Sequence, residues 1–234
     1  MRFVFPLLFV QALTAACGTA GSRHIADDPA TTSQVADASA ASNAPIHSQS
    51  GWAAPVNFFL ATGAPEYIVE AVTRAAHTWN DAIGRDVLIY KGRVPLERTG
   101  NLYDSLDDEK TVVYYERAWT TTTTKPRTTL ATTIWENDTT SHEAIVRGDI
   151  ILNGQTYLFQ DSTQKAVTAG READVVDSET VLLHEMGHLL GLDHTTQTDD
   201  PDSVMHSHTY IGPNIFKRDL SEGDKGNIRS IYVR

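Results

Sequence analysis

The chain has 234 residues, 41% of them hydrophobic, so it is long enough to bury a core and we expect one globular domain. Its formal net charge is −11, from 19 Lys and Arg residues against 30 Asp and Glu residues. Nucleic acid is excluded as a partner, because phosphate backbones are bound by clusters of cationic side chains and the sequence contains no such cluster.

Residues 1–17 are typical of an export signal. Arg2 precedes an apolar run that ends in small residues at Cys17, the single cysteine, and this run is too short for a membrane-spanning helix. The stretch from Leu13 to Cys17 resembles a bacterial lipobox, in which the cysteine is lipidated and becomes the new N-terminus. The alternative is cleavage nearby, for instance after Ala20, which would release a soluble protein. Both interpretations predict export, and the first predicts a lipoprotein whose membrane contact is the anchor on Cys17.

Residues 18–50 consist mainly of Ala, Ser, Thr and Asp, with almost no large apolar side chains. Such a segment buries too little apolar surface to offset its ordering entropy, so it is predicted to be a flexible tether. The folded domain is then expected to span residues 51–234.

The first half of this domain reads as strands around one helix. Pro65 is suited to a first helical turn, and apolar residues recur at helical spacing from Ile68 to Trp79. The predicted strands cover residues 56–61, 86–90, 111–119, 128–135 and 148–154. Thr120 to Pro126 are predicted to form a turn between two of these strands.

The second half reads as two helices. Asp177 or Ser178 could cap a helix through residues 179–191, and Ser221 could cap a helix through residues 220–233. The order of strand, helix, four strands and two helices predicts an α/β domain with a mixed sheet.

The stretch HEMGHLLGLDH in the first of these helices carries the chemistry. His184 and His188 are four residues apart, so their imidazoles project from one helix face and can share a zinc ion. Glu185 lies about 100° round the helix and can reach a zinc-bound water without being a ligand. Gly191 can adopt the left-handed conformation that ends a helix, which lets the chain return His194 to the same metal. Three imidazoles leave one zinc position open, as in catalytic sites.

The alternative is that these histidines are polar residues satisfied within a buried helix. Against it, Gly191 and His194 must then follow the His-Glu-x-x-His pattern by chance. The leucines between the histidines are interpreted as core packing and not as chemistry.

His184-Glu185-x-x-His188-x-x-Gly191-x-x-His194, followed by Met205, resembles the metzincin zinc endopeptidases. The Leu-Asp-His ending of the motif looks most like their matrixin branch. This resemblance implies a metzincin-like zincin fold, with a mixed and mostly parallel sheet, an active-site helix and a C-terminal helix. It also implies that the three histidines bind Zn²⁺, that Glu185 is the general base and that Met205 forms the hydrophobic floor of the site.

The resemblance further implies peptide hydrolysis by a zinc-bound water that Glu185 activates. Protein or peptide substrates would bind in extended form, along residues 148–154 as the edge strand. Extracellular or envelope proteins would be the substrates of such an exported endopeptidase, which we expect to be a monomer. The alternative is a non-catalytic, metal-binding surface lipoprotein that retains the fold.

Some residues depart from the family pattern or leave alternatives open. The only cysteine lies in the signal region, so latency by a thiolate is not expected, and Asp27 or Asp28 is a hypothetical substitute ligand. Ser207 stands where some metzincins have a tyrosine near zinc, and Tyr210 is a candidate wall of a specificity pocket. His206 and His208 are more typical of solvated loop residues than of a second metal site. Calcium is compatible with the acidic residues of this region, namely Asp174, Asp177, Asp199, Asp200 and Asp202, but no loop pattern locates a site.

Overall fold

The computed structural model describes residues 23–29, 46–95, 98, 100–140, 143–164 and 170–233. The predicted signal region, residues 1–17, lies outside these ranges. The strands are β1 (Arg23–Pro29), β2 (Gly51–Trp52), β3 (Val56–Ala61), β4 (Leu88–Val94), β5 (Thr111–Glu116), β6 (Thr129–Asn137), β7 (Ala144–Asn153), β8 (Leu158–Gln160) and β9 (Val175–Asp177). The helices are α1 (Ile68–Ile83), α2 (Trp119–Thr122), α3 (Ser178–Leu190) and α4 (Glu222–Tyr232). None of the helices among these residues is long and apolar enough to cross a membrane.

Seven strands form one sheet in the order β1-β6-β7-β5-β3-β4, with the short β2 added beside β7. The pairs within β7-β5-β3-β4 are all parallel, and so is β2 with β7. β6 is antiparallel to β7, and β1 is antiparallel to β6. The predicted α/β class, with a mixed and mostly parallel sheet, an active-site helix and a C-terminal helix, is therefore confirmed.

The central strands of the sheet are buried on both faces, which explains their continuous apolar runs. Side chains alternate between the faces. Val113 and Ile150 belong to the larger core, which the sheet shares with α1, α3 and α4. Val112, Tyr114 and Ile151 belong to a smaller core on the other face. Helix α3, which carries the motif, therefore lies with α1 and α4 on one side of the sheet.

The prediction that residues 148–154 form the edge strand is wrong. Residues 148–153 belong to β7, a ten-residue strand that lies between β6 and β5 and pairs with both. Its apolar run is that of a strand enclosed by neighbours, and local sequence does not distinguish this from a short edge strand. The antiparallel strand β6 lies one place further out.

The chain between β5 and β6 also differs from its prediction. β5 ends at Glu116, and Trp119 begins the single helical turn α2 in place of extending the strand. Trp119 is fully buried in the smaller core, and its indole nitrogen donates to the Pro126 carbonyl at 3.0 Å. The threonines that follow Trp119 thus form part of a helical connection. Trp119, which the sequence predicts to be the end of the strand, anchors this connection.

Two stretches of the predicted 18–50 tether have defined structure. One is β1, and the other is residues 46–50, which pack with Gly51 and Trp52 against the end of α3. The backbone nitrogens of His47 and Ser48 both donate to the Gly191 carbonyl. Trp52 donates from its indole nitrogen to the Leu189 carbonyl at 2.6 Å. Residues 46–50 are therefore part of the folded structure, and the bridge between Ile46 and Leu192 adds to this anchor. For the rest of 18–50 the tether stays a prediction outside the described residues.

Candidate metal centre

Helix α3 is positioned by a charged cap at its first turn. Asp177 is the N-cap, and its carboxylate accepts from the Thr180 backbone nitrogen at 2.9 Å. Arg218 donates to both Asp177 oxygens. Burial raises the pKa of Asp177, but the hydrogen bonds from Arg218, Ser162 and Thr180 outweigh burial and hold the pKa below its usual value. A negative charge therefore sits at the positive end of the helix dipole, where it is favourable.

All 13 residues of α3 are buried, so the helix packs on every side. The Trp79 indole nitrogen in α1 donates to the Leu183 carbonyl at 2.8 Å, which joins α1 to α3 one residue before the first histidine. Because the leucines between the histidines belong to the core, their interpretation as packing residues is correct.

Gly191 ends α3 in the way the sequence predicts. It has φ 109°, in the left-handed region that favours glycine, and the Leu192 nitrogen then donates to the Gly187 carbonyl at 2.9 Å. The reversed chain brings His194 back to α3, where its Nε2 lies 3.1 Å from Nε2 of His188.

The imidazoles of His184, His188 and His194 converge on one point. Nε2 of His184 lies 2.9 Å from Nε2 of His188, and the ligand atoms of all three residues lie within 4.8 Å of one another. A tetrahedral zinc ion with Zn–N distances of about 2.0–2.1 Å holds its nitrogens about 3.3 Å apart. The observed separations are close to that spacing.

The hydrogen bonds of these rings also fit a metal. Nδ1 of His184 lies 2.6 Å from the Val204 carbonyl, and Nδ1 of His188 lies 2.8 Å from the Leu192 carbonyl. A carbonyl only accepts, so both Nδ1 atoms donate a hydrogen, and the two Nε2 atoms, which face each other at 2.9 Å, are the atoms that can bind a metal. The three histidines therefore fit a zinc ion, with backbone carbonyls orienting two of them.

Glu185 lies beside this cluster and is held by a residue that the motif does not include. The Thr133 hydroxyl in β6 lies 2.5 Å from Oε2 of Glu185 and 3.1 Å from its backbone oxygen. Both side chains are fully buried. Nothing in the local sequence marks Thr133, because its role depends on β6 packing against α3 across 52 residues of chain.

Met205 is buried and lies under α3, against Gly187 between the two helical histidines. A Cβ atom added at Gly187 would lie 2.3 Å from the Met205 sulfur, so only glycine permits this approach. Asp224 holds the turn that carries Met205, since its carboxylate accepts from the Ser203 hydroxyl at 2.5 Å and the Val204 nitrogen at 2.9 Å. Asp224 also completes a capping box with Ser221. Its spacing from this predicted N-cap is the sequence signal that could have identified it.

A cavity of about 300 Å³ opens next to the metal cluster. His184 lines it together with Leu130, Val181, Tyr210 and Phe216. Lys217 also lines it, and its ammonium group donates to the Pro201 and Ser203 carbonyls. Tyr210 thus lies where the sequence placed a pocket wall, and the cavity can receive a side chain.

The comparisons with known proteins bear on this arrangement. Residues 108–233, more than half of the chain, match the family model of the peptidases described as Matrixin. The chain belongs to the matrixin family. Matrixins are zinc metalloproteases, so the family and the histidine cluster together support a zinc metalloprotease. None of the curated proteins that were compared matches this matrixin.

Solved structures similar to this matrixin include two with low sequence identity. High choriolytic enzyme 1, a hatching-enzyme zinc protease from Oryzias latipes, is 13% identical over 78% of this chain and 94% of its own, with a TM-score of 0.36. Myroilysin is 13% identical over 79% of this chain and 83% of its own, with a TM-score of 0.34. At these TM-scores neither likeness adds to the assignment.

The other candidate residues do not come together as a second group that could hold a metal ion, within the described ranges. Among the described residues, the three motif histidines form the one group of three or more His, Cys, Asp or Glu side chains spaced to hold an ion. His206 bonds the Asp200 carbonyl at 2.7 Å, and burial lowers its pKa. Asp177 accepts hydrogen bonds from Arg218. Calcium binding stays a prediction without an assigned site. The backbones of Asp27 and Asp28 lie opposite Thr132 and Ala131, and their ligand role stays a hypothesis.

Proposed function

We propose that this matrixin is a zinc-dependent endopeptidase in which His184, His188 and His194 bind the metal and Glu185 is the general base. The observation that carries the proposal is the convergence of the three imidazoles beside Glu185 and at the mouth of a side-chain cavity. A structural zinc site is closed by four protein ligands, whereas three ligands leave a position for chemistry.

In this proposal each residue has a task in hydrolysis of a peptide bond. Zinc, when bound, would act as a Lewis acid that lowers the pKa of water and polarises a carbonyl group. Glu185 accepts a proton from the attacking water and passes it to the leaving amine. The Thr133 hydroxyl holds one oxygen of Glu185, and Met205 supports the helix turn that carries both histidines of α3.

A peptide substrate would bind in extended form along the edge of β6 that β1 occupies in the structure. This strand replaces the one predicted from sequence. β6 is the antiparallel strand nearest to α3, and its Leu130 lines the same cavity as His184. Main-chain hydrogen bonds to a strand edge supply affinity for an extended peptide, and the cavity supplies selectivity for one side chain. The apolar contacts of Leu130, Val181 and Phe216 favour a large apolar side chain there.

Export and lipid anchoring through Cys17 remain part of the proposal, supported by the sequence of residues 1–17. They imply substrates among extracellular or envelope proteins. Mass analysis of the mature N-terminus tests the anchor: a diacylated Cys17 supports it, and an unacylated start after residue 17 refutes it.

Digestion of casein by the purified, zinc-loaded chain separates the enzyme from a non-catalytic binding lipoprotein. We expect digestion that a zinc chelator abolishes and that added zinc restores. A chain that binds zinc stoichiometrically and leaves casein and a mixed peptide library intact would instead support the binding lipoprotein.

A further inference from the structure

The carbonyl groups at the end of α3 are bonded from outside the helix. The last four C=O groups of a helix have no partner in its regular ladder, so each needs a donor from elsewhere. Residues 46–52 supply several of these donors. Two backbone nitrogens of this segment reach the Gly191 carbonyl, at 2.9 and 3.2 Å, and the Trp52 indole nitrogen reaches the Leu189 carbonyl at 2.6 Å. The end of α3 is thus capped by a segment that is distant from it in the sequence.

His47 is the residue of this segment that reaches a candidate metal ligand. Its Nε2 lies 2.8 Å from the carbonyl oxygen of His188. A carbonyl only accepts, so Nε2 of His47 carries the hydrogen and donates it. The same carbonyl accepts from the Gly191 backbone nitrogen at 3.0 Å. The backbone of His188 is therefore held both by its own helix turn and by a side chain from outside the helix.

The ring of His47 is itself held by β6. It stacks on the indole of Trp135, with the ring centroids 4.0 Å apart and the planes inclined by 21°. Trp135 is buried, so the surface on which the imidazole lies is part of the packed sheet. Stacking on a fixed ring restricts the rotation of the imidazole, and the direction in which Nε2 points is fixed with it.

The backbone around His47 holds the turn that follows His188. Ile46 forms a bridge with Leu192, whose carbonyl accepts from Nδ1 of His188 at 2.8 Å. The backbone nitrogen of His47 donates to the carbonyl of Gly191, the residue at which the chain reverses. Residues 46–48 therefore contact both the backbone of the second motif histidine and the turn that leads to the third.

We propose that His47 is a positioning residue of the metal centre, which fixes the His188 imidazole through the His188 carbonyl and thereby sets the affinity of the three histidines for zinc. The proposal rests on the proposed function for the identity of the metal. Groups that orient a metal ligand from behind change metal affinity by about 10–100-fold when they are removed. Residues 46–52 then belong to the metal-binding unit, although the sequence places most of them in a tether.

Two substitutions in the full-length chain separate the hydrogen bond of His47 from its stacking. His47→Phe keeps a flat ring over Trp135 and removes the donor, whereas His47→Gln keeps an N–H donor and loses the ring. Trp119→Phe is the matched control, because it also removes a ring N–H that donates to a backbone carbonyl, but in the smaller core on the other face of the sheet. Zinc affinity is measured by competition with a chromophoric chelator, and the visible absorption of the cobalt-loaded chain reports the ligand geometry.

We expect His47→Phe to raise the zinc dissociation constant about tenfold or more and to alter the cobalt absorption. His47→Gln is expected to stay within about threefold of wild type, with the wild-type spectrum. Trp119→Phe should lower Tm and keep the wild-type zinc affinity. Wild-type affinity in His47→Phe would overturn the proposal. An equal loss in the phenylalanine and glutamine variants would also overturn it, since the ring and not the donor would then be responsible.

A measurement on the unaltered chain decides the case in which His47→Phe does not fold. Coupling between two sites is reciprocal, so bound zinc must also hold residues 46–48 if they hold the metal turn. Hydrogen exchange at the His47 and Ser48 amides is measured with and without zinc, and the Val56 amide, which donates to the Val87 carbonyl, is the reference. We expect zinc to slow exchange at His47 and Ser48 about tenfold more than at Val56. Equal slowing at all three amides would overturn the proposal.

The wild-type chain separates a failure of this proposal from a failure of the proposed function. If it binds zinc and cleaves no peptide, the proposed function fails and the zinc affinities still decide the role of His47. If it binds zinc and cleaves peptides while His47→Phe keeps the wild-type affinity, only the role of His47 fails. A wild-type chain that binds no zinc would overturn both.

Discussion

Thr133 is the clearest case of a residue that acts through another. Its hydroxyl reaches both the side chain and the backbone oxygen of Glu185, and both residues are fully buried. A hydrogen bond to a charged group contributes about 1.5–3 kcal/mol, so its loss affects how the carboxylate is held. Thr133 is a positioning residue in this account.

Thr133→Val keeps the shape of the side chain and removes its hydroxyl, whereas Thr133→Ser keeps the hydroxyl. We expect the valine variant to lose about tenfold or more in kcat with KM and zinc content unchanged, because the base is misplaced while peptide and metal binding are kept. The serine variant is expected to retain most of the wild-type kcat. Equal kcat values for the two variants, measured on one fluorogenic peptide, would show that the hydroxyl has no such role.

Asp177 contributes stability that depends on pH. Its folded pKa is held below the usual carboxyl value, so the folded state binds protons more weakly than the unfolded state. The contribution is therefore present above about pH 4, the unfolded pKa, and is lost as the pH falls through the folded pKa.

Asp177→Asn is expected to lower the free energy of unfolding by about 2 kcal/mol at pH 7, because Arg218 loses a charged acceptor while the amide oxygen still caps α3. Denaturant titration at a series of pH values should show the gap to wild type shrinking below pH 4. Asp81→Asn is the control, since its ion pair with His77, within the part of the chain that the structure describes, is an exposed one. A gap that stays constant down to pH 2 would rule out the Asp177 carboxylate as its source.

Helix α3 is the element whose features were best predicted from sequence, because the features are local. Helical spacing places His184 and His188 on one face, and the N-cap and Gly191 lie in sequence next to the turns they make. The local sequence pattern could not predict which residues of other elements hold the site in place. Thr133 bonds Glu185 from 52 residues away, and Asp224 bonds Val204 in the Met205 turn from 20 residues away, through packing of separate elements.

Gly191→Ala tests the turn that returns His194. An added Cβ is strained at φ 109° and would lie 3.1 Å from the Ser48 carbonyl oxygen. We expect a loss of about 1–2 kcal/mol in the free energy of unfolding and at least a tenfold loss in zinc affinity.

Gly84→Ala is the matched control, because Gly84 also ends a helix with positive φ but has no atom within 4 Å of the added Cβ. It should lose about 1 kcal/mol of stability and keep its zinc affinity. Equal zinc affinities in the two variants would show that Gly191 does not position the third histidine.

At the scale of the whole molecule, the sequence predicted the fold class but not the order of the strands. Residues 148–154 read as an edge strand, whereas β7 is enclosed by β5 and β6. Residues 23–29 read as part of a tether, whereas they form β1 on the edge of β6. Both differences have one cause. Which strand lies beside which is decided by pairing between distant segments, and periodicity within a segment carries no information about its neighbours.

The arrangement that results connects the sheet to the chemistry. β6 faces α3 through Thr133, contributes Leu130 to the cavity and pairs along its outer edge with β1. The same strand therefore holds the Glu185 side chain and forms part of the cavity beside the histidines. The order of the strands therefore explains why residues of β6 lie beside a motif that is distant from them in the sequence.

The central claim is that three histidines hold a zinc ion beside a glutamate that acts as base. It is tested most directly by measuring zinc per chain and the rate of peptide cleavage together in wild type, Glu185→Gln and His188→Ala. The account predicts one zinc per chain and cleavage in wild type, one zinc per chain with cleavage at least a thousandfold slower in Glu185→Gln, and loss of both in His188→Ala. Cleavage by Glu185→Gln at the wild-type rate, with zinc retained, would contradict it.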